Sequence, residues 1–261
     1  MRKLFFYIPF WILSVNLIVL ASANPGYAEI SKINNINGKT FTIKSTVKSS
    51  GRERWQSQGK IQILNYQGRT YIYFEEKGEE SSGKTKSNKT WKSSVYSCLD
   101  GEEIIPYQIK LVLKNKRGEI IENVDKFYDR ESKKVTCNVN GKVKDFEFKE
   151  NMADKQNLAL WLMNYPFKEK RDLTFHLLTH APAMYAMTMK YQGIERLRVR
   201  DQGIDCYKLE MLPDLGILNF LRIFYPKTYF WFEIAPPHNF VRYEGLESGI
   251  GTPYVVVEAV R

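Results

Sequence analysis

Over most of the chain, apolar and polar residues alternate with a period of two. Short runs rich in Tyr, Phe, Val, Ile and Thr are separated by Gly, Asn and charged turns, which predicts strands joined by tight connections. Phe41 to Val47 places Phe41, Ile43, Ser45 and Val47 on one face. Ile61 to Tyr66 and Thr70 to Phe74 flank Gln67-Gly68 and read as a hairpin. Glu79 to Lys89 is polar and rich in Ser, Lys and Gly, so an exposed loop is expected before a strand at Trp91 to Leu99. Tyr107 to Leu113 and Glu119 to Tyr128 flank Asn115 to Gly118, a second hairpin. Lys134 to Val139 and Lys142 to Phe148 flank Asn140-Gly141. Asn-Gly favours the positive φ that a two-residue hairpin turn needs, and such a turn sets Val135 opposite Phe146.

The period changes at two places. Leu158 to Met163 is apolar and stops near Pro166, which predicts a short helix. Leu215 to Tyr225 is apolar except for Asn219 and Arg222 and is closed by Pro226. Read as a helix, it is apolar all round. Burial on every side, or contact with something apolar, is then expected, since each large apolar side chain gains about 1.5–3 kcal/mol by leaving water. Elsewhere strands resume, at Ala186 to Gln192, Ile194 to Arg200 and Ile204 to Leu212. Three more close the chain: Thr228 to Ile234, with Phe230 and Phe232 on one face and Tyr229 and Trp231 on the other, then Phe240 to Tyr243 and Tyr254 to Val260. About a dozen antiparallel strands predict a mainly β protein: one highly curved antiparallel sheet, a half-barrel, wrapped around one or two short helices.

The N-terminus changes the picture of location. Met1-Arg2-Lys3 is basic, Leu4 to Leu20 is almost unbroken apolar sequence, and Ala21-Ser22-Ala23 supplies small residues at a cleavage site, with Gly26-Tyr27-Ala28 as a second. This is the layout of a secretory signal peptide over residues 1–28, cleaved after Ala23 or Ala28 and followed by a single domain over 29–261. An uncleaved anchor is the alternative, since about 17–20 apolar residues span a bilayer. No Cys follows the apolar run, so a lipoprotein is not expected. The expected location is the periplasm of a Gram-negative envelope, or another exported one. The formal net charge is +10 and only Arg2 and Lys3 leave with the signal, so the mature chain stays basic. Anionic headgroups or glycans, and peripheral contact with a membrane, suit that charge; nucleic acid does not suit an exported protein. Export permits disulfides, and Cys98 and Cys137 both fall in strand-like segments where they could pair; two or three separate thiols are the equal alternative, and Cys206 is left over in either case.

Several C-terminal features carry a resemblance. They are Gly193-Ile-Glu195, Gly203 to Lys208, Lys227 to Phe232, Pro237-His238 and Val241 to Gly245. With the signal peptide, the successive hairpins and the short helix after them, this layout resembles uncharacterised exported β proteins of unknown function related in fold to the lipoprotein-localisation factors LolA and LolB. The resemblance covers roughly residues 90–261 and implies a half-barrel around helices, with an apolar cavity that in the transport factors takes acyl chains.

Motifs for chemistry are weak. His176 and His180 stand four apart, as zinc ligands do on a helix, but position 177 is Leu where a zincin carries Glu. Glu247-Ser248-Gly249 lacks the leading glycine of a nucleophile elbow. Cys206 sits within an alternating strand, without the exposed site a nucleophile needs. No metal, cofactor or catalytic residue is expected, and the chain reads as a non-enzyme. Its aromatic residues remain as the signal. Trp161, Phe220, Leu221, Phe224, Tyr229, Trp231 and Phe240 are the expected lining of an apolar cavity for an acyl lipid or lipoprotein. A non-catalytic envelope assembly factor that docks a protein partner is the alternative, and an unrecognised hydrolase a third.

Overall fold

The computed structural model describes residues 36–81, 89–101, 103–199, 202–249 and 251–260, without the side chains of 218, 221, 223 and 224. The proposed signal peptide and most of the 79–89 loop therefore lie outside the described residues. So do the side chains of Leu221 and Phe224. The first eight strands are β1 (Thr40–Val47), β2 (Glu53–Tyr66), β3 (Arg69–Glu80), β4 (Thr90–Asp100), β5 (Glu103–Lys114), β6 (Ile120–Asp129), β7 (Lys134–Val139) and β8 (Lys142–Glu147). After them come β9 (Met152–Asp154), the helix α1 (Leu158–Leu162), β10 (Leu173–Leu178), β11 (Met184–Val199) and β12 (Gln202–Pro213). A 3₁₀ helix (Gly216–Phe224) leads to β13 (Thr228–Glu233), β14 (Phe240–Leu246) and β15 (Tyr254–Val260).

These strands make one unclosed sheet in the order β8-β7-β6-β5-β4-β3-β2-β1-β15-β14-β13-β12-β11-β10-β9. Each neighbouring pair is antiparallel except β9 with β10. The two ends of the described chain meet in the middle of the sheet, where Thr42 pairs with Val260 and Val47 with Val255. The turns follow the local chemistry: Gln67 and Gly68 have φ of 49° and 74°, Asn140 and Gly141 have 52° and 83°, and Val135 stands opposite Phe146.

The sheet curls until one edge meets the other half. β9 lies against β5. Met152 packs among Val95, Ile109, Tyr128, Val135 and Cys137. The helix α1 packs inside the concavity. Leu158, Leu160 and Leu162 are buried in a cluster that draws Ile61 and Ile72 from one half and Phe175, Met189, Leu209, Phe230 and Phe232 from the other. The expected half-barrel around a helix is thus present, but it encloses one helix. The second apolar stretch lies outside.

Three further expectations change. The runs around 186–200 are one strand of 16 residues, with a bulge between Tyr191 and Gly193. His176 belongs to β10, so it shares no helix face with His180, whose Nε2 lies 2.6 Å from Glu122 Oε1. The three cysteines are free. Cys98 in β4 and Cys137 in β7 are separated by β5 and β6, three strand spacings or about 14 Å, whereas a disulfide needs Cα atoms about 4.4–6.8 Å apart. They also face opposite ways. Cys98 pairs with Tyr71 on the outer face, while Cys137 is buried in the inner cluster.

Candidate functional site

The segment after β12 is a 3₁₀ helix of nine residues, not a buried α-helix. Three residues per turn stack side chains three apart. That period gives three lines, and two of them carry described side chains. Asn219 and Arg222 form the line that anchors the segment to the sheet end. Asn219 Oδ1 accepts a hydrogen bond from the Leu215 amide at 2.9 Å, and Arg222 Nε donates to the Pro213 carbonyl at 2.8 Å. Asp214 Oδ1 accepts from the Gly216 amide at 3.0 Å, and these bonds hold its carboxyl below its usual range. Gly216 has φ of 56°, the left-handed turn that starts the helix. Ile217 and Phe220 form the other line and stand in solvent, 95% and 67% exposed.

The surroundings add an aromatic and two cations. Asp214 donates its amide to Ala186 O at 2.9 Å, beside Tyr185, which is 53% exposed. Arg222, a quarter exposed, lies 3.7 Å from Asp214, and Lys227, just past the segment and 69% exposed, lies 4.0 Å from Glu210. The result is an apolar projection with basic flanks on a hydrogen-bonded base.

Of the residues expected to line one cavity, the five with described side chains divide among three places. Trp161 and Phe240 pack against the inner core, Trp161 at 5.0 Å from Phe175 and Phe240 at 6.0 Å from Phe232. Trp231 and Tyr229 belong to a separate cluster on the opposite face of β13, with Leu197, Cys206 and Val241. There Trp231 Nε1 and Lys208 Nζ both donate to Glu195 Oε2, at 3.3 and 2.9 Å, and Lys208 lies 4.6 Å from the Tyr229 ring centre. Phe220 is on the projection. Strand alternation placed Trp231 and Phe232 on opposite faces correctly, but aromatic content alone could not say which face bounds a cavity. The missed signal was the spacing of three in Ile217, Phe220 and in Asn219, Arg222.

A concavity of about 620 Å³ lies elsewhere, lined by β1 to β5. Gln58, Lys77, Lys92 and Val112 form one outward row across it. Glu75 beside that row is held at about 2, first by Lys92 and then by Lys77.

A curved, unclosed antiparallel sheet around one short helix is thus the class of protein that this fold defines. No protein-family model and no curated protein matches the chain. Among solved structures it is similar to the β-barrel-like protein of a domain of unknown function, DUF1849, from Brucella abortus. The TM-score there is 0.52 at 8% identity, over 85% of this chain and 95% of that one. A Bacteroides fragilis protein described as exported, with a YmcC-like fold, aligns over 86% and 95% of the two chains at 11% identity with a TM-score of 0.33. The Brucella likeness extends to the fold alone. Among the described residues no helix is long and apolar enough to cross a membrane.

Proposed function

We propose that the protein is a non-catalytic exported envelope protein that meets an amphiphile, a lipid surface or an acyl-bearing lipoprotein, through the 215–225 projection. The observation that supports this most is the exposure of Ile217 and Phe220 on a segment whose polar line is tied down. Solvation of two large apolar side chains side by side is unfavourable by about 1.5–3 kcal/mol each, and insertion between acyl chains recovers that energy. The exposed Lys227 and the basic chain suit an anionic headgroup layer. The leader-like N-terminus agrees with an envelope location. The contact differs from the transport factors, since α1 and its partners pack into part of the concavity of this sheet.

Co-sedimentation with phosphatidylglycerol vesicles tests it. The mature chain is expected to pellet with the vesicles, and an Ile217→Ser, Phe220→Ser double variant to stay in solution with its fold unchanged. A parent chain that stays in solution removes the membrane reading. Pelleting that survives the double variant moves the contact off this segment.

A further inference from the structure

The inner face of β2 to β4 holds an acid that meets no cation among the described residues. Glu76 points inward beside Phe74 and Gly78 on β3, opposite Gly59 of β2 and Ser93 of β4. Among the described residues its partner is the Ser57 hydroxyl, which donates to Oε1 at 2.6 Å. Ser93, 3% exposed, has a buried Oγ with no partner. Aromatic rings stand on both sides. Phe41 and Phe74 stack at 5.6 Å over Gly59, and Trp55 meets Trp91 edge-on at 5.6 Å over Gly78.

The two glycines make this possible. A Cβ at Gly59 would lie 2.5 Å from the Phe41 ring, and one at Gly78 would lie 2.1 Å from the Trp91 ring. Any side chain there would push an aromatic pair off its place next to the acid. The floor is buried, at Ser57, Gly59 and Ser93, but the rim is not. Phe41, Trp55, Phe74, Glu76 and Trp91 all keep part of their surface accessible. Glu76 keeps part of its surface accessible, and burial of the rest pushes its carboxyl upward.

We infer that this cup is a binding site for an organic ammonium group, with Glu76 supplying the opposite charge, the four rings the cation–π walls and Ser93 a hydrogen bond to a neighbouring hydroxyl. A carboxylate without a cation, walled by aromatic rings, is the arrangement that recognises quaternary ammonium. A packed core would have paired the buried Ser93 hydroxyl. The site lies on β2 to β4, away from the 215–225 projection, and does not depend on the membrane reading.

Calorimetric titration of the mature chain with choline tests it, with 3,3-dimethyl-1-butanol as the neutral molecule of the same shape. Choline is expected to bind, the neutral analogue about tenfold more weakly, and Glu76→Gln to lose about tenfold in choline affinity while melting no lower than the parent. Three results overturn the inference: no heat from choline with the folded parent, equal binding of the neutral analogue, or a Glu76→Gln variant that binds choline as the parent does. Trp91→Leu serves as the second variant. It should weaken choline with Glu76 intact, and unchanged affinity there would remove the aromatic wall.

Discussion

Lys126 and Asp154 meet at 2.7 Å with neither side chain exposed, although they sit near opposite ends of the sheet. Lys126 is on β6, third from one edge, and Asp154 is on β9, the other edge. Only the curl of the sheet brings them together. The surrounding bonds complete the junction. Tyr128 Oη donates to Asp154 Oδ2 at 2.5 Å, Gln156 donates its amide to Oδ1 at 2.9 Å, and Lys126 Nζ also donates to the Thr179 carbonyl at 2.9 Å. Beside this ion pair, Tyr128 keeps its proton, because burial and the adjacent carboxylate push its hydroxyl well up.

Removing one partner should therefore loosen the overlap. Asp154→Ala leaves a buried ammonium with a single carbonyl and is expected to cost about 3–5 kcal/mol in urea unfolding. A Lys126→Met, Asp154→Leu pair should recover much of that loss, because no charge is then buried alone. A single variant as stable as the parent would mean that the edge of the sheet is not held at this point.

The cysteines should count as three. Thiol titration of the denatured, unreduced protein is expected to find Cys98, Cys137 and Cys206 all free. In the native protein at pH 8, Cys137 and Cys206 should resist alkylation, since burial pushes their thiols up to about 11 and about 12. One free thiol after denaturation would restore the pairing that strand separation argues against.

Much of this fold is legible in the sequence. Period-two patterning with Gln67-Gly68 and Asn140-Gly141 gives the hairpins, and the pairing of Val135 with Phe146 follows from turn length alone. β9 and β10 are not legible. β9 is only Met152–Asp154, too short to show a period, and it exists because the curled sheet buries it. The Glu76 cup is missed for a similar reason. Its parts are scattered from Phe41 to Ser93, and only the register of four strands sets two glycines beneath the rings. The 215–225 stretch misleads because its total hydrophobicity hides its spacing. A period of three separates anchors from exposed residues where a period of 3.6 mixes them.

Glu75 gives a stability term at the acid end. Its carboxyl bonds Lys92 at 2.8 Å and Lys77 at 2.9 Å and sits at about 2, against 4.5 when unpaired. A lowered acid stabilises the fold above the unfolded value and loses that contribution as pH falls from about 4.5 toward about 2. Both lysines are more than half exposed, so screening leaves on the order of 1 kcal/mol. Glu75→Gln should lower stability by that amount at pH 7 in dilute buffer and by less in high salt. A salt-independent loss would point to packing.

Glu76, the next residue, should act in the opposite sense. Enclosure raises its carboxyl above 4.5, so the folded state favours the proton. Below about 4.5 the acid is protonated folded and unfolded alike, and stability is at its full value. As pH rises through the raised folded value the unfolded chain ionises first, and stability is lost across that window. Glu76→Gln removes the loss while keeping the shape. Its melting temperature should match the parent near pH 4 and exceed it near pH 7, with the gap opening between. Parallel melting curves across that range would show that Glu76 is not enclosed as the strand register requires. A gap that closes when choline is added to the parent would tie the stability lost at Glu76 to the ammonium site.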